Sequence, residues 1–126
     1  MKINLIIFLS KFGVGGAGNS IFRLCKGLAR KKYNISIICL KNCPYDREFR
    51  KIGIKVYKIK SNKTFFAMWK VLNITKFLIS KKYKKNIFIS NIHYTNVLSL
   101  IFLRNLNNLK IVLVERTPLM ELSIYF

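Results

Sequence analysis

The chain has 126 residues, enough for one domain, and a domain of this size buries roughly two-thirds of the surface its unfolded form exposes. Its 52% hydrophobic and 22% charged residues set it apart from disordered chains. The charge is lopsided, with 24 Lys plus Arg against 4 Asp plus Glu, which leaves three explanations: nucleic acid, an anionic membrane surface or lipid phosphate, or a compositional bias whose lysines merely solvate the surface.

Ile3 to Leu9 is an apolar run on both faces, which suits a central parallel strand covered by helices on each side. Lys2 ahead of this run resembles a short secretory signal, but no small-residue cleavage site follows a long enough core. Ser10-Lys11-Phe12 and Gly13-Val14-Gly15-Gly16-Ala17-Gly18 come next, and the apolar period then turns helical. That period predicts a helix over 17–32, anchored by Ile21, Leu24, Cys25 and Leu28. Each buried Ile or Leu contributes about 1.5–3 kcal/mol. Asn34 is a candidate left-handed stop after this helix.

A second strand is expected over 35–40. The connection 41–53 holds Pro44 and a charged piece, Asp46 to Lys51, suited to a turn of helix. A third strand is expected over 54–59. Ser61-Asn62-Lys63-Thr64 then offers capping residues to a helix over 65–82. Its stripe is Phe65, Met68, Trp69, Leu72 and Ile79, interrupted by Lys76. Lys81-Lys82-Tyr83-Lys84-Lys85 falls at the expected end of this helix, where cations are favoured. A strand over 87–90, a helix over 94–105 and a strand over 110–114 complete the alternation. The last helix is apolar nearly all round and should be deeply covered. Leu119 to Phe126 resembles the start of another element, so the single domain, 1–126, is expected to be incomplete at its C-terminus.

Strands that alternate with helices through short connections pair in parallel with right-handed crossovers. The expected fold is an open, doubly wound parallel α/β sheet, Rossmann-like, of about five strands with helices on both faces and ligands beyond the carboxyl ends of the strands. The three cysteines, Cys25, Cys39 and Cys43, have no paired spacing. They argue against a disulfide framework and for a reducing compartment, with Cys25 and Cys39 as buried thiols. No CxxC or His-rich pattern marks a metal. No apolar segment reaches the roughly 18 residues needed to span a bilayer, so the chain is expected to be soluble or peripheral.

Strand, glycine loop, helix is a layout that places bare backbone N–H groups at a helix N-terminus, where an anionic group can sit. Gly13, Gly15 and Gly18 satisfy G-x-G-x-x-G. Two departures count against a nicotinamide or flavin site: Ser10 to Phe12 lengthen the loop, and Lys41-Asn42 stands where such a site has its acid. The plain alternative is a glycine turn that serves only close helix packing. His93, the sole histidine, follows the fourth strand and could hydrogen-bond a sugar hydroxyl or polarise a reacting group near neutral pH. The alternative is a partly buried histidine beside a helix cap. Glu115 and Arg116 follow the fifth strand, either as an ordinary ion pair or as a pair that orients a polar ligand, with the Arg116 fork suited to phosphate or carboxylate. Asp46 and Glu48 look solvated, and no two carboxylates form an obvious acid–base couple.

Taken together, several segments are similar to the N-terminal half of the family 4 glycosyltransferases. They are the first strand, the loop ending Gly15-Gly16-Ala17-Gly18, the helix after it and Ile54-Lys55-Val56-Tyr57. Ser90-Asn91-Ile92-His93 with Asn96, and Val114-Glu115-Arg116-Thr117-Pro118, complete the likeness. The resemblance implies one half of a GT-B architecture and a retaining transfer of a sugar from a nucleotide-sugar donor. The acceptor would be a glycan or lipid-linked molecule in cell-surface polysaccharide biosynthesis, with no metal or other cofactor expected. It implies that Gly15, Gly16, Ala17 and Gly18 approach the donor diphosphate and that His93 is the catalytic position near the transferred sugar. Asn96, Glu115 and Arg116 would contact acceptor or sugar. A proline often precedes the family's loop; Lys11 and Phe12 occupy that region here.

The family's C-terminal domain, which holds most nucleotide contacts and a paired-glutamate motif, is missing, so this polypeptide alone is expected to be inactive. The implied setting is cytoplasmic, with contact to the inner-membrane surface through basic and aromatic residues. Phe65, Phe66 and Trp69 near Lys81 to Lys85 fit such a surface, and fit core packing plus a solvated helix end equally well. Two other classes stay open. One is a basic nucleic-acid-binding module, against which no recognition helix or aromatic RNA-binding motif stands out. The other is a simple nucleotide-binding α/β protein.

Overall fold

A computed structural model of the chain describes residues 3–9, 16–28, 33–40, 43, 45–61, 63–91 and 93–114, with backbone alone at 16–19, 64, 93 and 94. The elements are β1 (Ile3–Leu9), α1 (Gly16–Leu28), β2 (Tyr33–Leu40), α2 (Asp46–Lys51), β3 (Lys55–Ile59), α3 (Thr64–Leu78), β4 (Lys85–Asn91), α4 (His93–Leu103) and β5 (Lys110–Val114). The strands form one sheet in the order β3-β2-β1-β4-β5, and every neighbouring pair is parallel. β1 is central, which is why its sequence is apolar without alternation: it must satisfy a covered face on each side.

The pleat divides its residues between two cores. Leu5, Ile7 and Leu9 meet Ile35, Ile37 and Cys39 beneath Ile21 and Cys25 of α1 and Phe49 of α2. Ile6 and Phe8 meet Ile38, Leu40 and Phe88 beneath Ala67, Met68 and Val71 of α3 and Leu98 and Leu103 of α4. The sheet is therefore doubly wound, as the alternation of elements predicts.

The helices sit differently from the expected stripes. In α1, Ile21 and Cys25 are buried, but Leu24 is 45% exposed. The helix leans the other way, toward Phe22, whose ring stacks on Tyr45 at 5.0 Å and meets Phe49 edge-on at 5.4 Å. In α3 the residues against the sheet are Ala67, Met68, Val71 and Thr75, while Phe65 and Trp69 are exposed. The inner line is mostly small or β-branched and can lie close to the strands. The large rings are displaced outward, where Phe65 and Trp69 pack edge-on against Phe102 at 5.7 and 5.0 Å. Nor is α4 deeply covered, since Val97, Leu100 and Ile101 are exposed on its outer side.

Element ends also follow side-chain bonding that periodicity does not report. Asn34 is not a helix stop but a residue of β2, and its Nδ2 donates to Asn4 Oδ1 at 2.9 Å. Asn4 Nδ2 in turn donates to Asn86 Oδ1 and to the Leu78 carbonyl, both at 2.9 Å. Asn86 donates to the Ser80 carbonyl at 3.0 Å and accepts from the Ser80 N–H at 3.3 Å. The Asn4 bond satisfies the last carbonyl of α3; the helix stops at Leu78 and the lysine cluster lies beyond it, with Lys85 opening β4. Ser61 bonds Lys63 locally and does not cap α3, whose N-cap, Lys63, makes no side-chain bond. Asn62 lies outside the described residues.

α2 closes on Gly53 at φ 85°. The Ile54 N–H reaches the Phe49 carbonyl and the Gly53 N–H the Arg50 carbonyl, at 3.0 and 3.1 Å. This double bond pattern requires a left-handed residue, which glycine adopts without strain.

Candidate functional site

Because β1 and β4 are neighbours while their following helices lie on opposite faces, the strand order reverses between them. In open parallel sheets the crevice beyond the carboxyl ends at such a reversal is where ligands bind. Two strand ends border that crevice, and the end of β5 lies one strand beyond β4. After β1 the chain enters α1 at Gly16-Ala17-Gly18. After β4 it enters α4 at His93. β5 ends at Val114, which pairs in register with Asn91 and is followed in sequence by Glu115 and Arg116. Gly15, Glu115 and Arg116 lie outside the described residues, as does the side chain of His93.

Buried amides tie the strand ends of this rim. Asn91 Nδ2 donates to the Phe8 carbonyl at 3.4 Å, across the reversal itself. Asn96 Nδ2 donates to the Val114 carbonyl at 3.0 Å. Asn96 is buried, so that donor is committed to holding the end of β5, and Asn96 bears on the rim by fixing the strand that delivers Glu115. Ser99 Oγ donates to Ser90 Oγ at 3.1 Å and fastens α4 to β4. Sequence reasoning did not single out Asn91 as a site residue. The signal available was a strand-end amide one residue past an apolar strand.

Away from the rim, Asp46 is not simply solvated. It accepts from Lys58 at 2.6 Å and from Arg50 at 2.7 Å, which ties α2 to β3. Lys58 first, and then Arg50, hold its carboxyl below the usual carboxylate range. The thiols of Cys25, Cys39 and Cys43 are all buried and free. Burial pushes Cys25 up to about 12. Cys39 and Cys43 share a hydrogen bond that raises Cys39, with burial adding to it, and lowers Cys43. Among the described residues no group of His, Cys, Asp and Glu gathers as a metal-ligand set.

The opposite, amino edge of the sheet carries an open groove of about 590 Å³ lined by Lys81, Tyr83, Lys84, Lys85, Asn108 and Lys110. It lies far from the glycines and His93 by topology, since those residues all follow strand carboxyl ends.

Comparison with protein-family models, curated proteins and solved structures gives no match. The class of the molecule therefore comes from its architecture: an open five-stranded, all-parallel, Rossmann-like α/β fold.

Proposed function

We propose that this chain is the N-terminal, acceptor-side domain of a glycosyltransferase that moves a sugar from a nucleotide-sugar donor to a glycan or lipid-linked acceptor in cell-surface polysaccharide biosynthesis. On this reading a second domain would supply the remaining nucleotide contacts. The observation that supports it best is that the glycine start of α1 and the His93 start of α4 follow the carboxyl ends of the two neighbouring strands, β1 and β4, between which the order reverses. The start of a helix presents unpaired backbone N–H groups and a partial positive charge, which suit a diphosphate. Gly16 and Gly18 carry no side chain to hold the phosphates away. His93, at the next strand end, would hydrogen-bond the transferred sugar or the acceptor hydroxyl. Arg116 would offer its planar fork to a ligand oxyanion, with Glu115 beside it to accept from a hydroxyl.

Calorimetry of the chain with a nucleotide sugar, set against a nicotinamide dinucleotide, tests the reading. Binding of the nucleotide sugar alone is expected, and Gly16→Val should weaken it about tenfold or more by blocking backbone approach, with the fold retained. Equal binding of both ligands, or a Gly16→Val variant that binds as well as the parent, would remove the basis for the assignment.

A further inference from the structure

The two edges of the sheet are not alike. β3 sets exposed Lys55 and Lys58 along its length, and Lys58 reaches Asp46 of α2, a make-up that keeps an edge strand from pairing further. β5 carries no charge after Lys110, and its Val112 and Leu113 are each 36% exposed. Among the described residues no strand lies on its outer side. Val112 pairs with Ile89, on the face of the sheet that α1 covers elsewhere, and Leu113 pairs with Ser90, on the α4 face. Asn96 of α4 bonds the Val114 carbonyl, and α4 runs back along β5. One helical turn is about as long as two strand residues, so exposed Leu100 stands level with Val112. Leu100 also lies about 160° around the helix from Phe102, which packs on α3, and so it faces away from α3.

We propose that β5 pairs antiparallel with β5 of a second copy about a two-fold axis at Val112, which joins the two sheets into one. Val112 then lies opposite its own counterpart, a β-branched cross-strand pair on one face. On the other face the same axis brings helix to helix. α4 lies over β4 and β5 alike. With strands about 4.8 Å apart, its axis stands about one strand spacing from the two-fold. The two α4 helices therefore come about 10 Å apart, a distance at which helices pack, with Leu100 facing Leu100 above the two Leu113 side chains. A second copy fits because the patch is matched to itself. Its centre is uncharged, and the two Lys110 lie about 13 Å apart along the strands, beyond a Debye length of about 8 Å at physiological salt. Each Lys110 stands opposite Val114 of the second copy, after which the sequence carries Glu115, the first acid since Glu48. An acidic partner would find only Lys110 to pair with along β5. One strand edge and one helix make a small specific interface, so the dimer should dissociate on dilution. The inference does not rest on the glycosyltransferase reading, because Leu100 and Val112 make none of the contacts proposed at the carboxyl rim.

Sedimentation of the chain over a concentration series should show a reversible monomer–dimer equilibrium. Val112→Lys and Val112→Glu should each weaken the dimer about tenfold or more, because like charges then meet at the axis. Mixing the two variants should restore a dimer, now with one chain of each kind. Leu100→Lys should weaken association similarly. All three variants should keep the far-ultraviolet spectrum of the parent, since both side chains are partly exposed. Phe77→Ser, at a ring of α3 that is 79% exposed, should leave the dimer unchanged. A monomer at every concentration would mean that the edge takes no second copy and would overturn the proposal. So would a dimer indifferent to Val112→Lys, a dimer lost in Phe77→Ser, or lysine and glutamate variants that stay monomeric when mixed.

Discussion

On the α1–α2 side of the sheet Phe49 is fully buried and gathers Phe22 and Tyr45 against it, whereas on the α3–α4 side Phe66 and Trp69 stand more than half exposed. The difference is one of cover. α2 lies where its ring meets both α1 and the sheet, while α3 and α4 lie side by side with only their inner faces on the strands. Residue type therefore does not set the energetic weight of an aromatic in this molecule; the number of elements that close around it does.

Truncating one ring from each layer should separate the two sides most widely. Phe49→Ala should cost about 3–5 kcal/mol in urea unfolding, and Phe66→Ala should stay within about 0.5 kcal/mol of the parent. Similar losses at both positions would mean that the outer layer is covered after all. A smaller effect is expected beneath α3. Asn4→Ala removes the donor to the Leu78 carbonyl and the acceptor for Asn34, and should cost about 1–3 kcal/mol. An unchanged midpoint would show that the asparagine chain is not a structural tie.

The smallest effect belongs to the exposed edge of the α1–α2 layer. Asp46→Asn should cost about 0.5 kcal/mol near neutral pH. Because Lys58 and Arg50 depress the Asp46 carboxyl in the folded state, its contribution is present above the ordinary carboxylate value of 3.8 and is lost as pH falls through the lower folded value. The gap between parent and variant should close in that acid range; a gap that widens there would contradict the pairing.

The sequence made the sheet legible because β1 is apolar on both faces and strands alternate with helical periods along the chain. The carboxyl rim was legible for the same reason, since Gly16 to Gly18 and His93 follow strand ends once topology is assigned. What periodicity did not report is which side of an apolar helix faces inward. In α3 and α4 apolar residues occur on every side, so the stripe carried little information, and small Ala67 and Val71 won the inner line over Phe65 and Trp69. In α1 the choice between Leu24 and Phe22 was settled by α2, a partner distant in sequence. The asparagine ties were hidden too, because Asn4, Asn34 and Asn86 become neighbours only through strand register.

The proposed glycosyltransferase role requires an anionic ligand at the carboxyl rim where β1 and β4 part. Backbone amide shifts of the chain during titration with a nucleoside diphosphate test it most directly. Changes concentrated at Gly16 to Gly18 and from Asn91 to His93 are expected. Changes confined to Lys81, Lys84, Lys85 and Lys110 at the other edge of the sheet would contradict it.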